Sequence, residues 1–113
     1  MEMSRYIKIF KHKNCYSLYY YEEGTLLEDL ITQLRIEPVD FFEVDSASYE
    51  LFEKLKRRLS LLKDIYGKSY TLNTFNSGFS LIYPKEYSKW LQSFIDNIHQ
   101  SDLVNEERKK AEA

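Results

Sequence analysis

Apolar side chains recur in this chain at two different spacings, and the two kinds of stretch alternate along it, which restricts the fold to strands interleaved with helices. In residues 5–13, Ile7 and Ile9 fall on one side of an extended chain while Tyr6, Lys8 and Phe10 fall on the other. Residues 16–21 are dense in β-forming aromatics, so the two segments make a hairpin turning near Lys13 and Asn14. Gly24 then precedes Thr25-Leu26-Leu27-Glu28, a capping box in which the Thr hydroxyl and the Glu carboxylate satisfy opposite free amides of a helix start. The helix predicted there buries Leu26, Leu27, Leu30, Ile31 and Leu34 and ends before Pro38. Residues 39–44 carry Phe41 and Phe42 in succession; with both faces partly apolar, the segment reads as the central strand.

Asp45, Ser46 and Ser48 offer N-caps to a second helix with Leu51, Phe52, Leu55, Leu59, Leu62 and Tyr66 on its inner stripe, closed by Gly67 as a left-handed cap. Residues 70–75 and 79–83 flank Asn76-Ser77-Gly78, a turn rich in φ-permissive residues, and make a second hairpin. Pro84 opens a third helix, whose Tyr87, Trp90, Leu91, Phe94, Ile95 and Ile98 recur at intervals of three and four. The order ββαβαββα is that of an α+β domain, a mostly antiparallel sheet of about five strands with helices packed on one face. Residues 1–100 form this single domain, and 101–113 form a charged tail, either a helix extension or disordered.

Composition narrows the class. Ten tyrosines and seven phenylalanines supply most of the bulk, with rings that fill a thin core while their hydroxyls reach its edge. Cys15 is the single cysteine, so no intramolecular disulfide forms and a reducing, cytoplasmic setting is expected. No signal segment is visible at the N-terminus, and no window approaches the ~20 apolar residues that cross a bilayer; no membrane partner is expected.

Net charge is −2, yet the charges are segregated. Residues 22–53 hold ten acidic side chains and one basic; residues 54–89 hold eight basic and two acidic. Lys54, Lys56, Arg57 and Arg58 concentrate the positive block on the second helix, where they can pair with Glu50 and Glu53 or meet a partner. With Tyr19, Tyr20 and Tyr21 as exposed aromatic anchors, they are the candidate partner-binding residues. The reading is a non-catalytic protein-binding regulator or accessory protein, with the size and charge profile of the small inhibitors and immunity factors of bacteria and phages.

Two alternatives stand beside it. A nucleic-acid-binding accessory protein requires the helix cluster to join Lys8, Lys11 or Lys13 on one positive surface. A small enzyme with an unrecognised site requires an enclosed pocket with convergent polar groups. His12 lies three residues before Cys15 and can approach it across the hairpin turn, but no third orienting group accompanies them. His12, Cys15 and His99 lack any recognised zinc spacing, and three scattered glycines cannot write a phosphate loop, so no catalytic residue, metal or cofactor is assigned. The exposed edge of a small sheet, or the third helix, offers a route to a homodimer.

Overall fold

The computed structural model describes residues 4–44 and 48–97. Its elements run β1 (Arg5–Lys11), β2 (Cys15–Glu22), α1 (Leu26–Thr32), β3 (Asp40–Val44), α2 (Ser48–Tyr66), β4 (Thr71–Phe75), β5 (Gly78–Pro84), a 3-10 turn at Lys85–Tyr87 and α3, residues 88–97. The five strands make one sheet in the order β3-β1-β2-β5-β4, and every neighbouring pair is antiparallel. This is the expected α+β architecture. The caps expected at Asp45 and Ser46, the stripe residue Ile98, and the tail 101–113 lie outside the described residues.

The alternation of β1 and β2 divides the sheet into two faces. Ile7, Ile9, Leu18 and Tyr20 join Phe42, Val44, Phe79, Leu81 and Tyr83 on the face covered by α2 and α3. Leu55, Leu59 and Leu62 of α2 and Leu91, Phe94 and Ile95 of α3 complete this core at the helical spacing read from the sequence. Gly67 ends α2 with φ +66, and its amide donates 2.8 Å to the Lys63 carbonyl, a left-handed cap.

The structure corrects three expectations about these elements. Residues 39–44 do not supply the central strand: β3 is an edge strand, paired to β1 alone, and β2 is central. The successive phenylalanines have another cause. Phe42 enters the main core, whereas Phe41 lies on the opposite face, where it stacks on Tyr6 with the Lys8 ammonium 5.0 Å above its ring. Second, α1 packs on that opposite face, apart from α2 and α3, with Leu27 and Ile31 against Phe10 and Tyr21. Third, only those two residues of its expected stripe are buried; Leu26, Leu30 and Leu34 are exposed, because a two-turn helix seated on one corner of a sheet covers one i, i+4 pair. The capping box also departs from its expected form. Glu28 reaches back to the Gly24 amide, but the Thr25 hydroxyl donates to the Glu22 carbonyl and leaves the helix amides alone. In α3, Trp90 stands outside the core with its indole N–H donating 3.0 Å to the Tyr66 hydroxyl.

β3 and β4 occupy opposite edges of the sheet, so α2, which links them, must cross its width. Nineteen residues span about 28 Å at ~1.5 Å each, enough to cross five strands about 19 Å wide on the diagonal.

Candidate partner-binding surface

The cationic residues of α2 do not form one patch. Taking Leu55, Leu59 and Leu62 as the inward line, Lys54, Arg58, Leu61 and Ile65 follow at i, i+4, i+7 and i+11 along one flank, with Arg57 beside them. Lys56 falls on the other side, where its ammonium sits 4.0 Å from Glu53 and 4.8 Å over the Phe52 ring. Among the described residues, Lys54, Arg57 and Arg58 make no ion pair. Leu61 and Ile65 are 60% and 65% exposed, although neither was singled out by sequence reading. They are legible only against the inward line: at helical spacing they point away from it, and aliphatic residues in such positions are the anomaly.

The aromatic candidates fare differently. Tyr20 and Tyr21 are each 2% exposed, so the expectation that they present their rings to a partner is corrected. Tyr20 stacks on Phe79 within the main core, and Tyr21 packs with Tyr6 under α1. Burial, with the Glu28 carboxylate next in effect, pushes the Tyr21 phenol up to about 12. Tyr19 is half-buried, edge-on to Phe10 at 5.7 Å. A triplet of tyrosines in a central strand must alternate between faces, and here both faces are covered at that end of the strand.

Lys8 lies across the sheet from the α2 flank, among Tyr21 and Phe41, so it does not join Lys54, Arg57 and Arg58 on one positive surface. His12 and Cys15 are connected through the backbone, the His12 amide donating 2.9 Å to the Cys15 carbonyl. The imidazole shares a 2.9 Å hydrogen bond with the buried hydroxyl of Ser17. No group of three or more metal-ligating side chains occurs among the described residues.

A groove of about 270 Å³ opens at the end of the sheet beside the β4–β5 turn. Tyr20, Phe52, Phe75 and Phe79 wall it, and its two charged groups, Arg5 and Glu22, stand 3.9 Å apart and answer each other. It offers apolar shape. Among the described residues, no helix is long and apolar enough to cross a membrane.

Fold and surface together define a small antiparallel α+β domain with an amphipathic flank on its longest helix. Comparison with protein-family models, curated proteins and solved structures finds no match.

Proposed function

We propose that the protein is a non-catalytic protein-binding regulator or accessory protein, which captures an acidic amphipathic segment of its partner on the outer flank of α2. The observation that carries this reading is the lengthwise combination of Lys54, Arg57 and Arg58 with exposed Leu61 and Ile65. Three cations alone suit a phosphate backbone as well as a protein, since backbone affinity is counterion release. Two aliphatic side chains in line with them add nothing to a phosphate contact but seat the apolar positions of a peptide helix, with the cations meeting its carboxylates. The free, half-buried thiol of Cys15 suits a reducing cytoplasm.

The test is affinity capture from native lysate, with and without nuclease treatment, using three baits matched for folding by circular dichroism: wild type, Leu61→Asp/Ile65→Asp, and Arg57→Glu/Arg58→Glu. The expected result is one stoichiometric protein partner on wild type, with affinity reduced roughly 10- to 100-fold in each variant, as for loss of interface anchors. Capture of nuclease-sensitive material alone assigns the flank to nucleic acid. A partner retained equally by all three baits overturns the assignment of the surface.

A further inference from the structure

The two strands that end the sheet differ in charge. β3 carries Asp40 and Glu43 within five residues, whereas β4, Thr71-Leu72-Asn73-Thr74-Phe75, has no charged residue and no proline. Charges, prolines and bulges are the devices that keep an edge from pairing with another chain. Four of the five β4 residues are exposed, Phe75 among them. No described strand pairs with its outer side.

The register fixes which backbone groups that edge presents. Asn76 and Ser77 form a two-residue turn between Phe75 and Gly78, which closes on a hydrogen-bonded pair. By antiparallel alternation, Asn73 with Ser80 and Thr71 with Ile82 are bonded pairs too. The amides and carbonyls of Leu72 and Thr74 therefore point outward.

We infer that β4 pairs with β4 of a second copy of this chain, antiparallel about a two-fold axis through Asn73. In that register Leu72 faces the partner's Thr74, and the outward groups of both strands meet as bonded pairs. Asn73 faces its own counterpart in a non-bonded pair. Phe75 lies opposite the partner's Thr71, whose own neighbour across the ladder is Ile82; the exposed Phe75 and Ile82 side chains thus approach each other over a small residue. Among the described residues nothing ionic opposes the contact: the turn residues are uncharged, and Lys68, the cation preceding β4, is held 2.8 Å from Glu86 of its own chain. The same operation on β3 gathers four carboxylates at one junction, so β4 is the edge fitted to a second copy. The interface is isologous and closes at two subunits.

Light-scattering mass measured over a concentration series tests this, with the expected mass rising from 13.6 kDa toward twice that value. Thr74→Pro removes an outward amide and none of the β4–β5 ladder, and Asn73→Lys sets two cations across the axis; each is expected to keep the wild-type circular dichroism and remain monomeric. Asn73→Cys in a Cys15→Ser background is expected to cross-link on oxidation, because Cα atoms of a non-bonded pair lie about 4.5 Å apart, within disulfide reach. Phe41→Cys on β3 in the same background is the control and should stay monomeric. Asn73→Lys carries the test if Thr74→Pro fails to fold. A wild-type chain that is monomeric at every concentration overturns the inference and leaves the edge to a strand of another protein. A dimer that survives both β4 substitutions, or cross-links through Phe41→Cys, overturns it as well.

Discussion

Gly78 offers the sharpest test of how the sheet is held together. It begins β5 opposite Tyr21 of the central strand, and a Cβ placed there overlaps the Tyr20 carbonyl oxygen, with the carbonyl carbon at 2.8 Å and the Tyr21 Cα at 3.0 Å. All three are backbone atoms, so no side-chain rotation relieves the clash; β5 must shift from β2 at one end of the ladder that joins the two hairpins. Overpacking costs about 1–3 kcal/mol, and a backbone obstacle puts Gly78→Ala near the top, about 3 kcal/mol. Alanine recovers less than about 1 kcal/mol of that through its lower unfolded-state entropy. The expected loss is therefore roughly 2–3 kcal/mol, or about 8–13 °C in Tm for a domain of this size. Gly67→Ala is the control: its φ is +66 and nothing lies within 4 Å, so it bears only the left-handed backbone cost of about 1–2 kcal/mol. Urea unfolding monitored by circular dichroism, with m unchanged, measures both. A Gly78→Ala loss no larger than that of Gly67→Ala would refute the close approach of β5 to β2.

Two further predictions concern the buried groups. Tyr21 is raised to about 12, and burial raises Tyr83 and Tyr87 as well, so the folded state holds phenolic protons that the unfolded chain releases near pH 10. This contribution is complete below pH 10 and declines as pH rises through about 12; denaturant midpoints measured from pH 9 upward should fall over that interval, and a flat profile would contradict the burial of these rings. Leu59→Ala, at a wholly buried site, should cost about 2–5 kcal/mol, whereas Leu61→Ala two residues on should stay within about 0.5 kcal/mol; equal losses would place the α2 inner line elsewhere.

The element order was legible because each element carries its own signal: alternation in β1, the three- and four-residue stripe of α2 and α3, and glycine after Tyr66. What was not legible is pairing between elements. Phe41 beside Phe42 has the pattern of a strand flanked on both sides, but the outer ring meets only a cation and a stacked Tyr6 and stays half exposed. Tyr19-Tyr20-Tyr21 gave no sign of exposure or burial, since that depends on α2 and α3 covering the face of Tyr20 and on α1 returning to cover the face of Tyr19 and Tyr21. The basic run on α2 was visible as composition, but its division into a free flank and a paired Lys56 required knowing where the inward line falls. Leu61 and Ile65 were missed for the same reason.

The crossing of α2 connects the two surfaces. A helix that spans a sheet from edge to edge commits one stripe, Leu55, Leu59 and Leu62, to the core and leaves its outer flanks in water, where aliphatic residues have no structural employment. Pairing through β4 about an axis normal to the sheet keeps the two copies' helices on the same face of the continuous sheet. A dimer formed this way would present two basic and apolar flanks on one side. A partner bearing paired acidic segments would engage both, the second at the high effective concentration set by a rigid sheet, and gain avidity without any new contact. In this proposal the neutral edge and the charged flank stay separate: the cations proposed to meet a partner lie on α2, and β4, proposed to pair with its own copy, carries none.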